Sequence, residues 1–521
     1  MKRVRGFSLL LFILIFIGVF ICIFDLYTNS FDDSAQKIVF LSGGKEFEGS
    51  YVKGQVGQNR GIILLHDEGA DRNSMKALAS VFNKEGYHVM YYDMPGHGYS
   101  DGLFDTKYYT NDYLQNVLDD AVEKMISVTE LDREDISYAG SGLGARVALK
   151  YSANSDISND LYLITPFSAR SDSDLLNENL VKVGRKDNAL ILFSNSDSEY
   201  SDYLIPAMYE RITNEKYDLE NTRNVSMHGN IEVGKFDLIF PGLEIASNSF
   251  IKKTIFTASM KEGFDLSSDY FNARSITFFL TFVLIICQIF LLQRAFLPNI
   301  PSSKKEKTPY AFGVKRLLLS IVIILLYIAY RIYFRRTIVT GIFPFFEDIL
   351  ILFLAYGLTG IFSLKYKKAI KIGDSAVSAA VSILIGGLLL TALAFWSYNG
   401  LIGFSVVDTK PVYLVINILC SWIAFYFYSL DFSVMYMMGA SKVGQKYLIR
   451  LVFMLPFIML FLIDYLLESG DLLRFGLQYS LIFLCIYFTE GLQRVGNKML
   501  YASFFPAVLY GFITTAFTLA I

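Results

Sequence analysis

The sequence is poor in cysteine, and this scarcity limits what can hold the fold together. Four cysteines occur among 521 residues, all inside long apolar runs: Cys22, Cys287, Cys420 and Cys485. Since none lies between residues 23 and 286, that stretch has no disulfide framework. The chain also lacks an excess of charge of either sign, with a formal net charge of −2. This balance gives no electrostatic reason to expect nucleic acid as a partner.

Apolar residues are abundant and unevenly placed. Hydrophobic residues make up 53% of the chain and the mean hydropathy is +0.40, which predicts a membrane part beside a water-soluble part. The basic start MKRVRG is followed by the apolar run Phe7–Phe24, and no small-x-small cleavage site comes after it. We interpret this run as an uncleaved anchor with a cytoplasmic N-terminus, the alternative being a cleaved signal peptide.

The chain after residue 275 is a series of eight apolar runs. They are 276–297, 316–334, 342–364, 376–398, 411–429, 447–467, 472–491 and 499–520. Lysines cluster in alternate connectors, for example at Lys304 and Lys305 and again at Lys365 and Lys367. Because cytoplasmic connectors carry the excess of basic residues, this alternation predicts a multi-pass cell-membrane protein. It has nine spans, the anchor and the eight runs, and places residues 26–274 and the C-terminus outside the cytoplasm. An extracytoplasmic domain without cysteine fits a bacterium better than a eukaryotic secretory compartment.

Residues 26–274 are predicted to form a globular domain of alternating strands and helices. The strand candidates are Lys37–Leu41, Phe47–Val52, Gly61–His66, Tyr87–Asp93, Ile136–Gly140, Leu161–Thr165, Ala189–Ser194 and Asn224–Met227. The helix candidates are Ser74–Glu85, Asn111–Thr129, Gly144–Ala153, Ser201–Asn214 and Leu238–Thr257. This alternation is typical of an α/β fold, a mainly parallel sheet with helices on both faces. The domains are therefore an anchor (1–25), this domain (26–274) and a polytopic membrane domain (275–521).

The stretch Ile136–Leu149, ISYAGSGLGARVAL, has the pattern of a nucleophile elbow, a tight strand-turn-helix corner that presents one reactive side chain. Small residues are needed two positions before and two after the nucleophile, because the backbones nearly touch there. Gly140 and Gly144 meet this need, but Gly142 stands where serine is expected, and Ser141 comes one residue early. We predict that Gly142 occupies the tip and that Ser141 is not an ordinary nucleophile.

A second motif carries a resemblance to a known family. Asp93, Gly96, His97, Gly98, Ser100 and Gly102 match the pattern D-x-x-G-H-G-x-S-x-G. With residues 61–102 in strand-helix-strand order and the elbow, residues 37–257 resemble the α/β-hydrolase superfamily, in its lysophospholipase or monoacylglycerol-lipase-like branch. No family is recognised for the eight-run region.

The resemblance implies roles for individual residues. Backbone amides near Asp67 and at Leu143 would form the oxyanion hole. Asp197, after the strand Ala189–Ser194, would be the acid, and His228, after the strand Asn224–Met227, would be the histidine. In the alternative interpretations, Asp197 is a solvated loop carboxylate and His228 a surface histidine. No metal or other cofactor is implied.

Two features point toward a membrane surface. About 55 residues separate the elbow from Asp197, which leaves no room for the helical cap usual in that branch. The active-site face would then be open, or covered by the membrane spans or the bilayer surface. Arg331, Arg335 and Arg336 lie where the positive-inside rule disfavours them. They either pair with Glu347 and Asp348 or bind an anionic headgroup such as a lipid phosphate.

Three functions remain open at this point. The domain is an ester hydrolase or acyltransferase acting on lipid or lipid-linked substrates through Ser141 in a rearranged elbow or through a water activated by His228. Otherwise it is a degenerate hydrolase that binds a ligand, or it regulates an activity or transport function carried by the membrane domain. Gly142 favours the second and third, whereas the surrounding motifs favour the first. Membrane lipids are the expected partners, and no partner protein is indicated.

Overall fold

The computed structural model describes residues 34–54, 59–67, 70–101, 112–155, 159–164, 189–194, 225–230, 376–398, 405–407, 409–439 and 502–516. It also describes residue 157 and scattered residues within 10–24, 277–291, 318–329 and 458–489. The chain divides into two compact units. One contains residues 22–281 together with 394–409 and 519–521, and the other contains residues 1–21, 282–393 and 410–518.

The first unit is built on an eight-stranded sheet in the order β1-β2-β4-β3-β5-β6-β7-β8. β1 pairs antiparallel with β2, and β2 with β4, while every other pair is parallel. The strands are β1 Gln36–Ser42, β2 Lys45–Val52, β3 Gly61–Leu65, β4 His88–Tyr92, β5 Ile136–Ser141, β6 Leu161–Ile164, β7 Ala189–Ser194 and β8 Val225–Asn230. The predicted mainly parallel sheet with helices is confirmed for this part of the chain.

Three helices of this unit are described: α1 Lys76–Lys84, α2 Tyr113–Thr129 and α3 Leu143–Ala153. The helix predicted to start at Ser74 starts at Lys76. A separate 3₁₀ turn, Arg72–Met75, precedes it, because the Asp71 carboxylate accepts the Asn73 N–H and caps that turn. The helices predicted at Ser201–Asn214 and Leu238–Thr257 lie outside the described residues.

Helices cover both faces of the sheet, as the strand pattern predicts. Successive residues of a strand point to opposite faces, so Ile62 and Leu64 of β3 join one apolar cluster while Ile63 and Leu65 join another. The first cluster includes Phe82 of α1. The second includes residues of α2 and α3. β3 and β5 are buried along their whole length, as expected for central parallel strands.

Three further helices are described outside the sheet: α4 Ala376–Tyr398, α5 Pro411–Gly439 and α6 Phe504–Ala516. α5 and α6 pack closely, with the Asn417 side-chain amide 2.9 Å from the Thr515 hydroxyl. A Cβ added at Gly511 would lie 2.7 Å from the Ile418 side chain. Over the part of the chain described here, no helix combines the length and apolarity needed to cross a bilayer.

Candidate functional site

The elbow forms at the carboxyl end of β5. Gly142 is the single residue between β5 and α3, with φ 50° and ψ −110°, a left-handed conformation that glycine adopts far more readily than other residues. A Cβ added at Gly140 would lie 2.4 Å from the Gly144 carbonyl carbon, and one added at Gly144 would lie 2.3 Å from the Leu65 carbonyl oxygen. Both glycines therefore allow the close backbone approach that the turn needs.

A carboxylate occupies the tip of the elbow. Asp67, in the loop after β3, accepts the Leu143 N–H at its Oδ1, 2.8 Å away. A Cβ added at Gly142 would lie 2.0 Å from the same oxygen. From the sequence we expected Asp67 to contribute a backbone amide. Its side chain is instead bonded to the Leu143 amide and fills the space of a side chain at residue 142.

Ser141 lies at the end of β5 rather than at the tip. It aligns with Ile164 of β6 in the parallel register, and its side chain is fully buried. Within the described part of the chain, its hydroxyl has no hydrogen-bond partner. A nucleophile must reach both the substrate and a base, so the described position of Ser141 is unsuited to that role.

The histidine predicted to follow the last strand lies inside it. β8 extends to Asn230, so His228 is a strand residue that aligns with Leu192 of β7. The prediction that the strand ends at Met227 is therefore wrong, because the parallel pairing continues through Gly229 and Asn230. β6 and β7 separate β8 from β5, a backbone distance of about 14 Å at usual strand spacing. The triad role of His228 stays a prediction.

Four other candidate residues lie outside the described residues: Asp197, Arg331, Arg335 and Arg336. Their proposed roles, as acid and as headgroup ligands, stay predictions. Among the residues that are described, no group of three or more His, Cys, Asp or Glu side chains is arranged to hold a metal ion.

A buried histidine anchors the loop that carries Asp67. The Met94 N–H donates to His66 Nε2 at 2.9 Å, and His66 Nδ1 lies 2.8 Å from the Asp67 carbonyl oxygen. A carbonyl only accepts, so His66 is a neutral imidazole with its proton on Nδ1. The Ala70 N–H also donates to that carbonyl, at 3.2 Å. The backbone of Asp67 is thus held from two directions.

A buried ionic cluster lies next to this loop. Arg72 donates to Glu48 at 2.6 Å, and its guanidinium lies 3.6 Å from the Asp93 carboxylate. Asp93 also accepts the backbone N–H groups of Arg72 and Tyr99, at 2.8 and 3.1 Å. A Cβ at Gly98 would lie 2.1 Å from the Asp93 carboxyl carbon. The first residue and the second glycine of the D-x-x-G-H-G motif therefore fit together as one structural contact.

Asp71 is a buried carboxylate of the loop after β3. It accepts the Asn73 N–H at Oδ1, 2.8 Å away, and the Ser405 N–H at Oδ2. Burial raises the pKa of Asp71 to about 7, and the neighbouring Asp93 carboxylate adds to the rise. Burying the charged form of an acid raises the free energy of the folded state. The two backbone amides and Arg72 offset part of that increase for Asp71.

The sequence interpretation missed the Asp67 side chain, Asp71 and Arg72. One signal was present: the loop after β3 contains two aspartates and one arginine, whereas its expected task is to supply backbone amides. Acids beside an oxyanion hole oppose the charge that it stabilises. That conflict could have directed attention to the side chains of this loop.

Among known proteins, the chain is similar only to solved structures. No protein-family model matches the chain, and no curated protein matches it. An esterase from Pyrococcus furiosus is 16% identical, with a TM-score of 0.31, over 43% of this chain and 92% of its own. An α/β serine hydrolase without a lid, from Xanthomonas campestris, is 16% identical, with a TM-score of 0.28, over 38% and 84%. An α/β serine hydrolase homologue from Coxiella burnetii is 14% identical, with a TM-score of 0.31, over 42% and 96%. Each likeness covers less than half of this chain.

Proposed function

We propose that the α/β domain is a hydrolase-like binding module that has lost serine-based acyl transfer. In this proposal the domain belongs to a membrane protein and binds a lipid or lipid-linked ligand. The observation that carries the proposal is the position of the Asp67 carboxylate at the elbow. It accepts the Leu143 N–H and fills the space that a side chain at Gly142 would need. The lipid part of the proposal is supported by the apolar second half of the sequence and by the absence of room for a cap.

Three physical reasons argue against acyl transfer at this elbow. Gly142 offers no nucleophilic atom. The Leu143 N–H, which would stabilise a tetrahedral oxyanion, already donates to Asp67. A carboxylate a few ångströms from a developing oxyanion also repels it, where a hydrolase needs donors.

Reactivity toward a fluorophosphonate tests the proposal. We expect no labelling of the native protein above background. Gly142→Ser alone is expected to gain little reactivity, because the Asp67 carboxylate, 2.0 Å from the new Cβ, must rotate away before the serine fits, and a carboxylate beside the elbow still repels an oxyanion. The double variant Asp67→Gly, Gly142→Ser removes that contact and frees the Leu143 amide, so we expect labelling to rise about tenfold or more. Labelled protein is quantified by in-gel fluorescence and the modified residue by mass spectrometry.

Three controls accompany this experiment. Asp67→Gly alone has no nucleophile and should not react. His228→Ala in the double variant should abolish the gained reactivity if His228 is the base. Labelling of the native protein that disappears in Ser141→Ala would overturn the proposal in favour of a serine hydrolase with a rearranged elbow.

The membrane placement is proposed from the sequence and has its own test. We propose that residues 26–274 are extracytoplasmic and that the connector containing Lys304 is cytoplasmic, because basic connectors alternate along the second half of the chain. In intact cells an impermeant maleimide should label Asp101→Cys and leave Lys304→Cys unlabelled until the cells are permeabilised. Labelling of Lys304→Cys but not Asp101→Cys would reverse the topology.

The three arginines are proposed to hold an anionic headgroup at the outer surface. The support is their position at the end of a run where lysine and arginine are disfavoured, together with the planar guanidinium fork that suits phosphate. Their pairing with Glu347 and Asp348 is the competing interpretation. Co-purified phospholipid measured for Arg335→Gln and for Glu347→Gln separates the two, since only the first should lose lipid under the proposal.

A further inference from the structure

A distant segment of the chain belongs to the same compact unit as the elbow. Residues 394–409 group with residues 22–281, although more than a hundred residues separate them along the sequence. The Ser405 backbone N–H donates to the Asp71 carboxylate, and the next residue, Val406, is 1% exposed. This segment therefore docks on the loop after β3.

The docking bond ends on a carboxylate that is held firmly. Asp71 is 3% exposed. Its second oxygen accepts the Asn73 N–H at 2.8 Å, and its backbone carbonyl accepts from the Ser74 N–H at 3.0 Å and the Ser74 hydroxyl at 2.8 Å. Besides the bond from Ser405, Asp71 therefore accepts three hydrogen bonds from its own loop.

The same loop reaches the elbow through Asp67. The Ala70 N–H bonds to the Asp67 carbonyl at 3.2 Å, and Ala70 directly precedes Asp71. At the other end, the Asp67 side chain accepts the Leu143 N–H at 2.8 Å. One short stretch thus carries a carboxylate at each end: one binds the amide that begins α3, and the other binds the amide of Ser405.

We propose that Asp71 is a positioning residue: by binding the Ser405 amide it holds the loop in the conformation that places the Asp67 carboxylate at the elbow. Docking of the 405–407 segment is then coupled to occupation of the Leu143 amide. This coupling depends only on the contacts described and not on which ligand the elbow binds.

Hydrogen exchange at the Leu143 amide measures the proposal directly in the full-length protein. Ser405→Pro removes the donor N–H and changes no residue of the loop. Asp71→Ser keeps a short oxygen that caps the 3₁₀ turn but loses the second acceptor. We expect each variant to raise Leu143 exchange by about tenfold or more, because freeing the loop lowers the cost of opening its bond to Asp67.

The double variant separates coupling from general damage. If both changes break one contact, Asp71→Ser adds little to the exchange already produced by Ser405→Pro, whereas independent effects multiply. Asp101→Ser is the matched control. It makes the same chemical change at a carboxylate that accepts one backbone amide, from Glu46 at 3.1 Å, and should leave Leu143 exchange unchanged.

Each outcome decides the proposal. Faster exchange at Leu143, with native protection of the β5 amides in both single variants and a non-additive double variant, supports it. Unchanged Leu143 exchange in Ser405→Pro overturns it, as does a multiplicative double variant. If Asp71→Ser exposes the β5 amides as well, Ser405→Pro alone decides, since it leaves the loop sequence intact.

Discussion

Replacing Arg72 by leucine is expected to lower the free energy of unfolding of the α/β domain by about 3–5 kcal/mol at neutral pH. The guanidinium bonds to Glu48 at 2.6 Å and lies 3.6 Å from Asp93. It also opposes the raised pKa of Asp71. Leucine fills part of the volume but leaves these acids without their cation. Loss of β3 and β5 amide protection with urea concentration, in the full-length protein, measures the change.

The deficit of this variant should depend on pH with a definite sign. A carboxyl group whose pKa is higher in the folded protein binds its proton more tightly there. Its contribution to stability is therefore fully present below the unfolded value of 3.8 and is lost as the pH rises through about 7. Without Arg72 the pKa of Asp71 rises further, so the deficit should be larger at pH 8 than at pH 5.

Arg133→Leu is the matched control for Arg72→Leu. Arg133 bonds to Asp119 and Glu123, but those carboxylates are 48% and 60% exposed, so water screens the pair and we expect a cost of about 1 kcal/mol or less. Equal costs for the two arginines would contradict the role given to burial. A deficit of the Arg72 variant that is smaller at pH 8 than at pH 5 would contradict the role given to Asp71.

Gly144→Ala is expected to disrupt the elbow, with a loss of at least about 3 kcal/mol of unfolding free energy. The new Cβ would lie 2.3 Å from the Leu65 carbonyl oxygen and 2.7 Å from the His66 carbonyl oxygen. Both contacts are backbone atoms of a central strand and its exit, which cannot rotate away as a side chain can. The same exchange experiment against urea measures the loss.

Gly43→Ala measures the cost of replacing a glycine that makes no such close contact. Gly43 has φ 55° and nothing within 4 Å of an added Cβ, so alanine there meets only the backbone penalty of about 1 kcal/mol. If the two alanine variants were equally stable, the close approach of β3 and α3 would not be what requires glycine at residue 144.

The sheet was predictable because local patterns determine it. Short apolar runs such as Gly61–Leu65 suit a strand buried on both faces, and the intervening amphipathic stretches suit helices. The elbow was predictable for a similar reason, since glycine at 140 and 144, two residues on either side of the tip, is a local requirement. The extension of β8 past His228 was not, because the ladder with β7 continues through Gly229 and Asn230, residues with low strand propensity.

The occupant of the elbow could not be read from the sequence. Asp67 and Leu143 are 76 positions apart. The acidic composition of the loop was a local signal, but it does not specify whether Asp67 turns its carboxylate or its backbone amide toward the elbow. The same holds for Asp71, whose partner Ser405 is 334 positions away. Long-range contacts of single side chains depend on tertiary packing, and the periodicity of apolar residues along the sequence carries no information about them.

The contact between Asp67 and residue 142 also constrains how this chain can change through mutation. A serine at 142 and the observed rotamer of Asp67 exclude each other, since the serine Cβ would lie 2.0 Å from the carboxylate oxygen. The Asp67 side chain can rotate away, but it then gives up the Leu143 N–H that it now accepts. The effect of a substitution at either position therefore depends on the residue at the other, which is epistasis. Reversion to serine at 142 carries this added cost as long as residue 67 is aspartate.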